Sequence, residues 1–244
     1  MSVALLSTAQ FFTTVAQLQQ LPASGLPEVA FVGRSNAGKS SAINRLCNRN
    51  RLAFASRTPG RTQALNYFCL GDKGSGCVAY LVDTPGYGYA AAPGEVRRQW
   101  STLAGRYLGE RAELRGVVLT VDIRRLVGER DVDLLRWIAP DVPILVLLTK
   151  ADKLARMHQR RALDQARDQI AALRLPNPVS MLLFSSLKGL GLEAARAQIA
   201  AWLVPPEPDG TLGDDAARGD EEPARHEQSD FEPASGPAPI RGKA

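Results

Sequence analysis

Between residues 1 and 204, short apolar runs alternate with longer stretches in which apolar positions recur every three or four residues. The short runs, at 28–33, 64–70, 78–83, 116–123, 143–148 and 179–184, predict β-strands. The longer ones, at 39–47, 94–108, 129–138, 157–173 and 190–203, predict amphipathic helices. Strand and helix taking turns implies an α/β domain of three layers, a mostly parallel six-stranded sheet with helices on both faces. The exception is the Gly-rich connection Gly71-Asp72-Lys73-Gly74-Ser75-Gly76, short enough for a hairpin, so one edge strand is expected to run antiparallel. Before residue 25 the apolar residues Val3, Leu5, Leu6, Phe11, Phe12, Val15 and Leu18 lack a clear period, and this segment is expected to pack on the domain. There is no internal repeat.

Composition changes the picture mainly at the C-terminal end. With 244 residues and 45% hydrophobic content the chain can bury a core as one large domain or two small ones, which excludes fibrous and wholly disordered classes. The net charge of +5 is a cancellation: residues 1–204 hold 26 Lys and Arg against 15 Asp and Glu, a net of +11, whereas residues 205–244 hold 4 against 10, a net of −6. Those last 40 residues also carry 7 of the 16 prolines and few large apolar side chains, so 205–244 reads as a disordered acidic tail after a single domain at 1–204. Three cysteines, Cys47, Cys69 and Cys77, form an odd set with no CxxC pair, and neither His158 nor His226 lies near them. A disulfide framework and a zinc site are therefore not expected, and a reducing compartment is. No basic residue precedes Arg34 and no apolar run reaches the ~20 residues of a membrane span, so a cytoplasmic protein without one is expected.

Gly33-Arg34-Ser35-Asn36-Ala37-Gly38-Lys39-Ser40 follows the apolar run Val29-Ala30-Phe31-Val32 and opens a helical pattern. This is GxxxxGK[ST] in its confirming context. Glycines let the backbone curl so that successive N–H groups face phosphate oxygens, and the helix N-terminus adds partial positive charge. Lys39 supplies a point charge to the β- and γ-phosphates, and the Ser40 hydroxyl is a magnesium ligand. Asp83-Thr84-Pro85-Gly86 ends a second apolar strand, which places a carboxylate to hold magnesium through water. Gly86 offers an N–H to the γ-phosphate with no side chain in the way.

A third loop, Thr149-Lys150-Ala151-Asp152, follows the strongest apolar run in the chain. The Asp152 carboxylate can accept both the N1–H and the 2-amino hydrogens of guanine, a match adenine cannot make, and the Lys150 stem can lie along the ring. Ser185-Ser186-Leu187-Lys188 follows the last strand and can offer a backbone N–H to the 6-oxo group. Four loops at strand C-terminal ends fit ligand binding there. Between the first two lies the polar stretch from Ser56 through Gly60, Arg61, Thr62, Gln63 and Ala64, expected to be mobile without a γ-phosphate. Thr62, with Thr58 as its alternative, can complete the magnesium shell.

Taken in order, GRSNAGKSS, PGRTQ, DTPGYGYA, TKAD and SSLK resemble the EngB (YihA/YsxC) family of bacterial translation-factor-related GTPases over about residues 20–204. The resemblance implies a P-loop GTPase fold and a single, monomeric GTPase domain acting in assembly of the large ribosomal subunit, with family links to cell division and septation. It implies that residues Gly33 to Ser41 bind phosphates and that Gly60, Arg61, Thr62, Gln63 and Ala64 line the nucleotide. It also implies that Ser40, Thr62 and, through water, Asp83 hold magnesium. Asp83, Thr84, Pro85 and Gly86 would sense the γ-phosphate. Thr149, Lys150, Ala151 and Asp152 with Ser185, Ser186 and Leu187 would hold guanine. Lys39, Thr62 and Gly86 are then the groups expected to act on the transferring phosphoryl group. The acidic tail lies outside the family pattern.

Departures from the wider GTPase pattern carry their own expectations. Tyr87 follows DTPG where Ras-like proteins place a water-orienting glutamine, so slow intrinsic hydrolysis is expected. Thr149 stands where many GTPases have asparagine, which predicts a lost tie to the phosphate loop. Asn36 resembles the asparagine of potassium-stimulated GTPases, whose side-chain oxygen helps hold K+; equally, it can simply stabilise the loop. Arginine supplies 24 of the 30 basic residues, with clusters at Arg45/Arg49/Arg51, Arg97/Arg98, Arg124/Arg125 and Arg156/Arg160/Arg161. Each cluster alone reads as a solvated face, but a +11 body beside a nucleotide switch favours ribosomal RNA or a large-subunit precursor as partner. The alternative function is a nucleotide-controlled module that regulates division through a protein partner; an ATP-dependent kinase is disfavoured by TKAD.

Overall fold

The computed structural model describes residues 2–54, 64–71, 76–87 and 94–204, with the backbone alone at 2–3 and 94–101. The strands are β1 (Gln10–Val15), β2 (Glu28–Gly33), β3 (Leu65–Leu70), β4 (Ala79–Asp83), β5 (Leu114–Asp122), β6 (Ile144–Thr149) and β7 (Val179–Leu183). Six α-helices accompany them among the described residues: α1 (Ser2–Ser7), α2 (Lys39–Leu46), α3 (Gly94–Glu110), α4 (Glu129–Leu135), α5 (Arg156–Ala172) and α6 (Leu192–Leu203). The sheet order is β1-β3-β4-β2-β5-β6-β7, with β4, β2, β5, β6 and β7 parallel. Strand β3 runs antiparallel to both neighbours.

Two details differ from the sequence reading: the described residues form seven strands, and the antiparallel one is second from the edge. The added edge strand, β1, lies in the segment expected only to pack. Its sequence QFFTTV has good strand formers but no alternation, because Phe11 and Phe12 are adjacent and the register slips between Phe11 and Thr13. That bulge breaks the period of two on which strand recognition depends. Helix α1, from the same segment, packs on α6. The other strand and helix positions agree to within a few residues at their ends.

The central strand β2 shows why four apolar residues in a row, Val29 to Val32, still encode two faces. In β2, Val29 and Phe31 join Ala42, Ile43, Leu46, Phe184, Ile199 and Leu203 under α2 and α6. Ala30 and Val32 join Tyr107, Leu134, Ala166 and Ile170 under α3, α4 and α5. Successive side chains point to opposite faces, and helices cover both, so all four of these positions are apolar.

At the end of the sheet opposite the predicted loops, β2 begins with a fully buried carboxylate. Glu28 accepts hydrogen bonds from the phenols of Tyr67 (3.1 Å) and Tyr107 (2.8 Å) and from Arg111 through Nε (3.1 Å) and Nη2 (2.6 Å). Arg111 also donates to the Pro22 carbonyl at 2.6 Å and pairs with Glu113, tying the N-terminal segment to the sheet. Burial first, then the Glu28 charge, pushes both phenols far above their ordinary pKa, so they stay protonated donors.

The cysteine expectation needs one correction. Cys69 and Cys77 meet across the β3–β4 hairpin with Cα atoms 5.5 Å apart and are closed as a disulfide, because the turn folds two residues eight apart back on each other. Cys47 is free and buried, and burial pushes its thiol up to about 12. Among the described residues no helix is long and apolar enough to cross a membrane, and no cluster of His, Cys, Asp and Glu could hold a metal by itself. The predicted tail, 205–244, lies outside the described residues.

Candidate functional site: the loops at the C-terminal edge of the sheet

Strand β2 ends at Gly33, where a Cβ would lie 2.1 Å from the Thr120 hydroxyl of β5, so only glycine lets the chain turn there. The loop curls through left-handed conformations at Asn36 (φ 64°) and Gly38 (φ 97°), and asparagine is among the few residues that tolerate this. Helix α2 then starts at Lys39, whose ammonium is buried and paired with the carboxylate of Asp83. The two residues are 44 apart in sequence and are brought together because β2 and β4 are parallel neighbours. Ser40 and Ser41 follow Lys39 in the first turn of α2.

The segment after β4 docks on this loop. Thr84 bonds the Phe31 carbonyl through both its hydroxyl (2.9 Å) and its N–H (3.1 Å). Tyr87 forms a parallel bridge with Arg34: its N–H donates to the Gly33 carbonyl at 3.2 Å and its carbonyl accepts the Ser35 N–H at 3.1 Å. This draws Gly86 so close that a Cβ there would lie 3.0–3.1 Å from three atoms of Ser35. The Tyr87 side chain, at the position that in Ras-like proteins orients water, turns inward, 6% exposed, and its phenol donates to Asp131 at 2.6 Å. Burial and then the Asp131 charge hold that phenol far above its ordinary pKa.

At the end of β6 the expectation of a lost tie is overturned. The Thr149 hydroxyl contacts the Ala37 carbonyl in the phosphate loop, with the Val121 carbonyl 3.1 Å away as a second acceptor. A hydroxyl on a short β-branched stem reaches the loop because Gly38 packs directly on it. Lys150, at φ 57°, extends its ammonium to the Asn36 carbonyl (2.7 Å) and to Asp122 (3.0 Å). Asp152 accepts the Ser185 hydroxyl at 2.6 Å, joining the third loop to the fourth. The Ser185 N–H is used by the Leu190 carbonyl, while Leu187 is well exposed. Ala151 is buried, its N–H on the Phe184 carbonyl.

The described candidates on the four loops thus converge at one edge of the sheet. Gly60, Arg61, Thr62 and Gln63, with the alternative Thr58, lie outside the described residues; Ala64 directly precedes β3. Three participants escaped sequence reasoning. Asp122 ends β5 and binds Arg124 through Nε (2.9 Å) and Nη2 (2.7 Å); these bonds, with the neighbouring Lys150, hold its carboxyl well below the usual carboxylate range. Arg124, read as part of a solvated cluster, is thereby engaged. Asp131 sits at the start of α4. The signal for Asp122 was available, a carboxylate at a strand's C-terminal end like Asp83. Behind the phosphate loop a cavity of about 70 Å³ is lined by Arg34, Asn36, Asp122, Arg124, Asp131 and Lys150, among others.

Residues 28–150 match the family model described as a 50S ribosome-binding GTPase. A probable GTP-binding protein EngB of Ralstonia nicotianae is 48% identical over 234 residues, covering 89% of this chain and 100% of that protein. Its counterpart in Dechloromonas aromatica is 51% identical over 200 residues, covering 82% and 89%. Among solved structures, a crystal structure of a probable GTP-binding protein engB superposes with a TM-score of 0.52 at 19% identity, over 72% of this chain and 98% of that one. An Era variant of Aquifex aeolicus bound to GDP and tetrafluoroaluminate gives 0.55 at 23% identity, over 75% and 58%. The two structures share the fold; the sequence relatives, together with loops in the order and place described, show that the chain belongs to the EngB family of GTP-binding proteins and is a GTPase.

Proposed function

We propose that the chain is a slowly hydrolysing GTP switch that assists assembly of the large ribosomal subunit, docking in the GTP form and leaving in the GDP form. The observation that carries this reading is the closed set of contacts at the loop edge. Each links groups that a nucleotide would separate or reuse.

Phosphates would take the N–H groups of the Gly33–Ser40 loop and draw Lys39 from Asp83 toward the β- and γ-oxygens. Ser40, Thr62 and Asp83 are hard oxygen donors suited to magnesium, and Asp83, whose ion-pair partner in the described structure is Lys39, becomes available once that lysine moves. The ion would neutralise charge developing between β- and γ-phosphate. Thr84, Pro85 and Gly86 would sense the γ-phosphate. Guanine would replace the Ser185 hydroxyl on Asp152, with the Lys150 stem along the ring and backbone N–H groups of Ser186 and Leu187 toward the 6-oxo group. Because Tyr87 points into the core, no side chain at that position orients water, which supports slow intrinsic turnover and an activator supplied by the docked complex.

Asn36 is exposed and its backbone oxygen is taken by Lys150, leaving the amide as the group that could hold K+. Equal turnover in potassium and sodium would sink that role. The +11 net charge of residues 1–204 supports rRNA as the docking surface. Depletion tests the whole reading: accumulated large-subunit precursors are expected, and filamentous cells with normal ribosomes would overturn it in favour of direct control of division.

A further inference from the structure

Three segments far apart in sequence meet on one buried carboxylate. Asp131, 1% exposed, accepts the Tyr87 phenol (2.6 Å), Arg34 through Nε (3.2 Å) and Nη2 (2.9 Å), and the Gly128 N–H (2.8 Å) at the start of α4. A carboxylate this buried is costly unless its lone pairs are used, and here donors on both oxygens fix it in place. Gly128 makes room: a Cβ there would lie 2.2 Å from Arg34 Nη2. Of the groups gathered, Arg34 belongs to the phosphate loop, Tyr87 to the segment after β4, and Asp131 to a helix that carries none of the four loops.

The consequence lies one residue upstream. Tyr87 is held at two places, its backbone by Gly33 and Ser35 and its hydroxyl by Asp131. Two anchors on one residue define where its neighbour Gly86 sits, and Gly86 rests against Ser35 of the phosphate loop. We propose that Asp131 is a positioning residue: through Tyr87 and Arg34 it holds Gly86 at the phosphate loop, preorganised for the γ-phosphate, and so raises the affinity for GTP relative to that for GDP. This rests on the reading of Gly86 as the γ-phosphate contact. GDP lacks that phosphate and gains nothing from the clamp, and only a differential contact of this kind can bias a two-state switch.

The test uses the full chain and three variants: Tyr87→Phe, which keeps the ring and removes only the hydroxyl; Asp131→Asn, which keeps the shape and removes the charge; and Gly86→Ala. Dissociation constants for a non-hydrolysable GTP analogue and for GDP are measured beside the melting temperature. Tyr87→Phe and Asp131→Asn are each expected to weaken the GTP analogue by about fivefold or more while leaving GDP within about twofold, the scale of one lost hydrogen bond acting through a coupling. Because both remove the same link, the double variant should be no worse than the stronger single one. If both nucleotides weaken together with the melting temperature, or neither weakens, the positioning role is overturned and Asp131 is purely structural. A changed ratio in Gly86→Ala with none in the other two removes the clamp but keeps the γ-phosphate reading. No change in Gly86→Ala removes both.

Discussion

The two ends of the sheet use the same ingredients differently. At the base, Glu28 is fully buried and bonded by two phenols and a guanidinium; at the loop edge, Asp83 is nearly as buried and paired with one ammonium. Burial therefore does not separate structural from functional carboxylates in this molecule. What separates them is the number and mobility of the partners. The donors on Glu28 come from β3, the end of α3 and the residue after it, all packed in place. Those at the edge are two lysine ammoniums on long stems and one serine hydroxyl, which reach a backbone carbonyl or carboxylates and could release them. The Lys39–Asp83 pair, which phosphates would break, is one readily replaced contact, whereas Glu28, which must only persist, takes four donor groups.

Removing the Glu28 charge breaks this comparison hardest. Glu28→Gln keeps the shape but leaves Arg111 and two buried phenols with one neutral amide, and unfolding free energy is expected to fall by about 3–5 kcal/mol. Chemical denaturation measures it. Relative affinity for GTP analogue and GDP should stay constant; if it changes, base and edge are coupled and the division is wrong.

Next in size comes Asp152→Ala at the opposite edge. Two charge-assisted hydrogen bonds to guanine would be lost, each worth about 1.5–3 kcal/mol, so GDP affinity should fall by about a hundredfold or more. Calorimetric titration reads it, with inosine diphosphate, which lacks the 2-amino group, as comparison. The wild type should discriminate between GDP and the inosine nucleotide and the variant should not, while the melting temperature of the free protein moves little. A large drop in that temperature would place Asp152 with Glu28 as a structural carboxylate.

The same contrast explains what could be read from the chain. Residues of the loop edge announce themselves because their spacing is local: GRSNAGKS follows a strand, and DTPG and TKAD each end one, so Lys39, Asp83 and Asp152 could be named and placed. The contacts that join loops are not local. Thr149 reaches Ala37 across 112 positions and Tyr87 reaches Asp131 across 44, and no pattern around any of these residues encodes the meeting. The base was less legible still. Glu28 reads as the polar first residue of a strand, Tyr67 and Tyr107 fit ordinary strand and helix patterns, and Arg111 falls between predicted elements. The strand β1 was hidden by a bulge, a local fault in period that only pairing with β3 resolves.

Thr149→Val sharpens the edge further, with a smaller effect. The swap keeps the branched shape beside Gly38 and deletes the hydroxyl on the Ala37 carbonyl. One neutral hydrogen bond is worth about 1 kcal/mol, so GTP and GDP should both weaken by roughly fivefold, guanine choice remaining with Asp152. Unchanged affinity would mean that the phosphate loop keeps its shape without this tie.

The smallest effect is expected at Cys47, which follows α2 on the side away from the loops and is 0% exposed. Burial raises its thiol to about 12, with Arg196 and Arg49 opposing only in part. The thiolate is the reactive form, so at pH 8 the folded protein should show no alkylation of Cys47 by iodoacetamide, while the unfolded chain, with a thiol near 8.5, reacts readily. Peptide mapping distinguishes this thiol from Cys69 and Cys77. The sign of the pH dependence follows: between about 9 and 12 the unfolded chain releases this proton and the folded one keeps it, so this group costs stability as pH rises. Rapid native labelling at pH 8, unchanged by added GDP, would show that this part of the core opens without unfolding and that the fixed region is smaller than its contacts suggest. Labelling slowed by GDP would instead join Cys47 to the edge, through the helix that begins at Lys39.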